Sequence, residues 1–389
     1  MKKVLFLTLI LVLGTFHAFP FEQEPNCENM TFKPSFAFYG NNNLSVISAG
    51  RGYTGIAAEG GLSATNLNPA SLTIPYTAQA YYEYGIKNEF TVDEGTSSQV
   101  DLSNYKAGAS YGAAYRVNDN INVGLLYSKA NNLRVDYGTV HNYDCSGLIV
   151  IESFDQYEKA AISVLSIPVA YKLNEIFTLG VGLNTHIYHA QTSRACMNEY
   201  EEWEHFNGEI DFVLFRPKAG IIANFGQNFS VGATFVSPAT KRVKEEVCWE
   251  EIKYDKNSFA TQLAIGTKYS FGSFPLTVLA DYRYSNEAVN VEFLDKHEAS
   301  IGLESKLLPF LTLRTGFMYQ NDYRDLDYVQ DNSLYWCDQD SYEQNFATAG
   351  ASVKWRKTTW DLAVMHSGFA SDLSQTYVKL GLTLDLEQQ

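Results

Sequence analysis

The sequence predicts an all-β fold: a 14-stranded antiparallel transmembrane β-barrel with an N-terminal hatch plugging the lumen. Three observations predict it. Beyond residue 76, successive segments alternate apolar and polar side chains with the period of two that a strand imposes. The connections between these segments alternate short and long. Aromatic residues are abundant, 26 Tyr and 24 Phe among 389 residues, and a set of them crowds the short connections. After the first residues no window offers about 18 uncharged apolar residues, so a helical span is not predicted. Only a closed barrel would then satisfy every backbone group in hydrocarbon.

The elements follow in chain order. Residues 1–18 read as a signal peptide. Lys2 and Lys3 form a basic start, an apolar run extends from Val4 to Phe16, and Ala18 is a plausible cleavage end. Phe16 stands where a small residue is preferred. Residues 19–76 form an N-terminal extension and hatch. Within them 50–73, GRGYTGIAAEGGLSATNLNPASLT, is rich in Gly, Ala, Ser and Asn and lacks a steady period. Small residues without a strand or helix rhythm, ahead of a run of hairpins, describe a folded plug. Residues 77–389 form the barrel.

The strands are placed at 77–90, 105–117, 121–137, 159–173, 177–194, 208–225 and 229–243. The second half gives 259–271, 276–293, 297–307, 311–324, 345–355, 359–369 and 375–386. In the fifth, Phe177, Leu179, Val181, Leu183 and Ile187 face lipid, while Thr178, Gly180, Gly182, Asn184 and His186 face inward. In the last, Val378, Leu380, Leu382, Leu384 and Leu386 oppose Tyr377, Lys379, Gly381, Thr383 and Asp385. A soluble sandwich alternates as well. The connection lengths decide against it: 118–120, 174–176, 226–228, 272–275, 308–310 and 356–358 are short, and most of the others are long. Tyr171, Phe177, Phe225, Phe229, Phe271, Phe274, Phe310, Trp355 and Trp360 crowd the short side as an aromatic girdle.

Cys145, Cys196, Cys248 and Cys337 fall one each in the four longest connections. An oxidising compartment permits disulfides. Two bonds lacing the loops is one reading and four separate thiols the other; the pairing is open. Cys27 is the odd cysteine. Five long connections, 91–104, 138–158, 195–206, 244–258 and 325–343, hold 22 of the 44 acidic residues. They make either a solvated, self-repelling surface or a bridge through divalent cations, with Asp325, Asp327 and Asp331 the tightest group. The net charge of −15 argues against nucleic acid as a partner. No catalytic set is present: no HExxH, no GxSxG elbow and no P-loop. His186 and His189 are three apart on a strand and face opposite sides. The chain is therefore read as a non-enzyme without a cofactor or resident metal. Asp281, Arg283, Glu304, Lys306 and Arg314 are placed in the lumen, as paired charges that anchor the plug.

Gly50-Arg51-Gly52-Tyr53-Thr54-Gly55, followed about fifteen residues later by Asn68-Pro69-Ala70 and then a first strand, resembles the hatch of the FadL family. These are outer-membrane channels for long-chain fatty acids and other hydrophobic compounds. The 167–188 hairpin, the 220–238 hairpin and the strand start Leu311-Thr312-Leu313-Arg314-Thr315-Gly316 are similar to the family too. The chain departs from many outer-membrane barrels in ending Leu386-Glu387-Gln388-Gln389, without a terminal aromatic. The resemblance implies that Gly50, Arg51, Tyr53, Gly55, Asn68, Pro69 and Ala70 form the gate. It also implies a third strand that breaks to open the wall, placed at Asn131 and Asn132; emergence of that strand above the membrane would explain the same break. The implied function is uptake of a hydrophobic small molecule with lateral release into outer-membrane lipid. Two alternatives stay open: a non-transporting adaptor in protein secretion, and a structural or adhesive barrel.

Overall fold

The computed structural model describes residues 45–386, except 94–98, 102–107, 144–149, 198–202, 248–249, 273, 290–293, 324–342 and 368–372. It contains β1 (Ala78–Asp93), β2 (Gln99–Asp101), β3 (Ala109–Arg116), β4 (Ile121–Tyr143), β5 (Val150–Lys172), β6 (Phe177–Met197) and β7 (Trp203–Phe225). These are followed by β8 (Phe229–Val236), β9 (Ala239–Val247), β10 (Glu250–Phe259), β11 (Gln262–Ser270) and β12 (Leu276–Ser285). The chain closes with β13 (Lys296–Leu308), β14 (Leu311–Gln320), β15 (Gln344–Trp355), β16 (Thr358–His366) and β17 (Leu373–Leu386).

Fourteen of these strands, β1, β3 to β8 and β11 to β17, form one antiparallel barrel. It closes where β17 pairs with β1, Ala78 lying against Leu386 and Val92 against Leu373. The short β2 adds to the far end of β1, and β9 and β10 make a separate hairpin. At the short-turn end the chain reverses by local means. Asn118 Oδ1 accepts from the backbone N–H groups of Asn120 and Ile121 at 2.9 Å each. Asn174 does the same for Ile176 and Phe177 at 2.8 Å. These are Asx turns, which make up for the missing ladder bonds.

The period-two reading holds on both faces. Val181, Phe215, Ile265 and Ile301 are each more than half exposed, while inward-facing Asp281, Asp361, Lys379 and Asp385 are buried. This inversion of the usual rule is stable only where the outer surface meets hydrocarbon. All nine expected girdle aromatics are exposed.

Four expectations are corrected. The strand read through 229–243 ends at Val236. Pro238 has no N–H to offer a ladder, and the chain turns there into the β9–β10 hairpin. The segments 138–158 and 195–206, read as loops, largely continue as strand: β4 runs to Tyr143, β5 starts at Val150, β6 reaches Met197 and β7 starts at Trp203. Val140, Tyr143, Val150 and Phe154 suit a pleated surface, which favours the longer hairpins. The 244–258 loop is mostly the β9–β10 hairpin. The expected loop disulfides are corrected too: among the described residues no disulfide bond is present. Cys196 lies on β6 in register with Glu204 of β7, not with another cysteine. Cys145, Cys248 and Cys337 lie outside the described residues, as does Cys27.

Candidate functional site

The hatch occupies the barrel interior from Ser45 to Ile74. It opens with a short helix, α1 (Val46–Gly50), whose cap Ser45 accepts from the Ser48 N–H at 3.2 Å. The Val46 N–H donates to Glu83 Oε2 of β1 at 2.8 Å. Glu83 is also held by Tyr81 from the same strand, Ser110 of β3 and Lys379 of β17. A carboxylate fixed between the first and last strands thus anchors the start of the hatch.

The sequence-identified residues come next. Arg51 donates to the Thr54 carbonyl at 2.8 Å and lies 3.4 Å from Glu304, which also takes Arg314 Nε at 2.6 Å. Tyr53 has the uncommon φ of +64° for a residue with a side chain. Arg283 offsets this strain: its guanidinium lies 3.9 Å from the Tyr53 ring centroid and donates to the Tyr53 carbonyl. Burial pushes the Tyr53 phenol up to about 12, so it remains protonated. Asp281 Oδ2 accepts from the backbone of Gly55 at 2.7 Å and Ile56 at 3.1 Å, and pairs with Arg283 at 3.0 Å.

Asn68 is fully buried. Its amide Nδ2 donates to the carbonyls of Ile56 at 2.8 Å and, in the wall, Ile221 at 3.1 Å and Ala233 at 3.4 Å. Its Oδ1 accepts from the Ala70 N–H at 2.9 Å and caps the 3-10 turn Pro69–Ser71. Pro69 takes the first position of that turn, where its missing N–H costs nothing.

Why the hatch backbone can approach the wall so closely is answered by glycine. Inward-facing Gly220 leaves room for the Asn68 side chain, since a Cβ there would sit 1.9 Å from Asn68 Oδ1. A Cβ at Gly180 would meet Ala70 N at 2.1 Å, and one at Gly316 would meet Gly52 N at 2.4 Å. The wall therefore carries a belt of missing side chains at the level where the plug docks.

Four of the five expected lumenal charges are drawn together around 51–56. Lys306 is not: it is exposed at the short-turn end, past a register shift between Ser305 and Leu308. Sequence reasoning missed Glu83, Gln79, Asp361 and the pair Arg216 and Lys218, and had Asp385 inward without a role. Their signal was available, since each is an ionisable or amide residue flanked by lipid-facing apolar neighbours, as in Tyr82-Glu83-Tyr84.

Towards the long-connection end, Tyr188, Phe212 and Leu214 form a buried apolar cluster against Ile162, Ala239 and Phe259. Tyr188 and Phe212 stack at 4.5 Å, and Phe259 meets Phe212 edge-on at 6.1 Å. Three basic side chains sit beside it. Arg216 donates to the carbonyls of Ser237 and Ala260, Lys218 to those of Thr65 and Asn66 in the hatch, and buried His186 Nε2 has no partner. None of the three makes a salt bridge among the described residues.

Asn131 and Asn132 lie on β4 opposite Ile162 and Ala161, directly after a register shift between Lys129 and Asn131. On the other side, the β3–β4 ladder ends at Ser110 and Ser128. From there on β4 has one ladder partner among the described residues. Ile162 packs on the aromatic cluster, so the irregular wall adjoins the apolar part of the lumen.

No protein-family model and no curated protein matches the sequence. Solved structures match along the whole barrel. The toluene transporter TodX of Pseudomonas putida superposes with a TM-score of 0.66 at 14% identity, over 90% of this chain and 100% of its own. The toluene transporter TbuX of Ralstonia pickettii gives 0.65 at 13% identity, over 90% and 100%. A FadL homologue of Pseudomonas aeruginosa gives 0.68 at 13% identity, over 88% and 98%. The chain has a FadL-type outer-membrane channel fold. Among its described residues no group of three or more His, Cys, Asp or Glu is placed to hold a metal ion. The acidic group Asp325, Asp327 and Asp331 lies outside them.

Proposed function

We propose that this protein is an outer-membrane channel for the uptake of hydrophobic compounds, long-chain fatty acids among them, gated by the hatch. The observation that carries this reading is the Tyr188, Phe212 and Leu214 cluster inside a lumen blocked by the hatch, with Arg216 and Lys218 beside it. An apolar chain gains about 25 cal/mol per Å² removed from water, and an acid head finds Arg216 and Lys218, neither of which is in a salt bridge among the described residues. The crystallised toluene transporters share the fold, which supports apolar cargo without a head group as well. Asn68, Pro69 and Ala70, with Gly50, Arg51, Tyr53 and Gly55, act as the gate. The irregular wall at Asn131 and Asn132 is the exit, because it adjoins the apolar cluster and has a single ladder partner among the described residues. Release there leads into membrane lipid. On the outer surface Ile221, Ala233, Phe235, Leu263, Ile265 and Tyr282 help line an apolar groove of about 610 Å³, which suits a lipid acyl chain. Residues 1–18 direct export, and surrounding lipid is the barrel's standing partner.

Uptake tests this reading in cells lacking other carriers. Asn68→Ala with Pro69→Ala should lower uptake of a long-chain fatty acid on the order of tenfold, the scale of one or two buried hydrogen bonds. Surface level and heat-modifiable migration should stay near normal. Arg216→Met should lower fatty-acid uptake by about as much and leave toluene uptake within about twofold, since only the acid loses a charged partner. Unchanged uptake of every hydrophobic compound in the hatch variant would refute the transport reading and favour the secretion adaptor.

A further inference from the structure

Three buried glutamines stand in the lumen on the side of the barrel away from Arg216. Gln320 of β14, Gln344 of β15 and Gln375 of β17 are each no more than 1% exposed. Among the described residues, both amide atoms of Gln320, both of Gln344 and the Nε2 of Gln375 have no hydrogen-bond partner. Gln375 Oε1 alone is used, by the Tyr377 hydroxyl.

Their placement is regular. Met318, Phe346 and Tyr377 belong to one buried cluster against Val46 and Ala49 of α1, and the Phe346 and Tyr377 rings lie 6.1 Å apart. On each of the three strands the glutamine is two residues from the cluster member, in the direction of the long connections. Period two puts all three amides on the lumenal face, one step beyond the apolar cluster. Gln320 and Gln344 are register partners on adjacent strands. On the other side, Gln320 is in register with Glu298 of β13, which Lys296 neutralises at 2.9 Å.

Buried amides without partners are rare, and those in native proteins call for a reason. Three together, on three strands and at one level, offer three NH₂ donors and two open carbonyls with no net charge. We propose that Gln320, Gln344 and Gln375 bind the uncharged polar head, hydroxyl or carbonyl, of an otherwise apolar ring-sized compound. The amides match a group that both donates and accepts, and Met318, Phe346 and Tyr377 supply the apolar wall for the rest. A carboxylate is disfavoured, because no cation among these residues offsets its charge. The site is separate from the cations at Arg216 and Lys218 and does not depend on the transport reading, since it is read by binding alone.

The purified full chain in detergent would be dialysed to equilibrium with 4-ethylphenol, ethylbenzene or 4-ethylbenzoate, against protein-free micelles. 4-Ethylphenol should bind on the order of tenfold more tightly than either of the others, because a site built to hydrogen-bond a hydroxyl rejects an analogue lacking it. Gln320→Met with Gln344→Met should reduce that preference to about twofold or less, with heat-modifiable migration showing an intact barrel. Gln375→Met, which alters a single strand, should reduce it in part. Equal binding of 4-ethylphenol and ethylbenzene by the unmodified chain overturns the proposal, with no variant needed. So does a full preference kept by the folded double variant, or a ligand-soaked crystal in which water alone occupies the amides.

Discussion

A valine at Gly220 is expected to expel the hatch from its seat while leaving the barrel closed. The new Cβ would lie 1.9 Å from Asn68 Oδ1 and 3.0 Å from Pro69 Cδ. Asn68 cannot retreat, because its amide is tied to the Ile56, Ile221 and Ala233 carbonyls. Overpacking and the lost buried bonds together should cost about 2–4 kcal/mol of hatch docking. The barrel ladder is unaffected, since Gly220 keeps its register against Gly180 and Thr234 and valine suits a strand. Hydrogen exchange across 45–74 should accelerate on the order of a hundredfold while strand amides stay protected. Conductance in planar bilayers should rise as the lumen clears. Gly272→Ala serves as the control, because its nearest neighbour is the Asn228 amide at 3.8 Å. Protected hatch amides in the Gly220→Val protein would mean that the belt of wall glycines is not what seats the plug.

The barrel was legible in the sequence because its two causes are local. Period two reports which face meets lipid, and it placed Val378 to Leu386 outward and Tyr377 to Asp385 inward on β17 as the structure has them. Turn chemistry reports which end is short, through Asn118, Asn174 and Gly226. Length beyond the membrane was not legible, because Val140 or Phe154 looks the same whether a loop or an extended hairpin follows. Pro238 was the missed stop signal. For the hatch, the pattern identified Arg51, Tyr53 and Asn68, but not the wall residues that hold them. Glu83 and Val46 are 37 positions apart, Asp281 and Gly55 226, and nothing local links such pairs. Lys306 shows the converse error. It has the inward parity of Glu304, yet parity says nothing of depth, and it stands at the open end. Cys196 failed likewise: the reading had it in a loop, whereas it sits in a ladder opposite Glu204.

Asp281→Leu is expected to loosen the hatch by another route, electrostatic rather than steric. The carboxylate accepts the Gly55 and Ile56 N–H groups and pairs with Arg283, and its side chain is fully buried. Leucine would orphan two hatch N–H groups and leave the Arg283 charge, among the described residues, with the Tyr53 ring and carbonyl and Ser300. Removing one partner of a buried pair costs about 3–5 kcal/mol, enough to raise hatch exchange by a factor on the order of a thousand. Asp281→Asn should fall between, because one amide oxygen still accepts but the charge on Arg283 is uncompensated. The deciding variant is Asp281→Leu combined with Arg283→Met. Losing both charges removes the desolvation penalty along with the attraction, so the double variant should recover a large part of the protection that the single one loses. Recovery would assign the loss to the stranded guanidinium. If the double variant exchanges as fast as Asp281→Leu alone, the backbone bonds to Gly55 and Ile56 hold the hatch, and the ion pair contributes little.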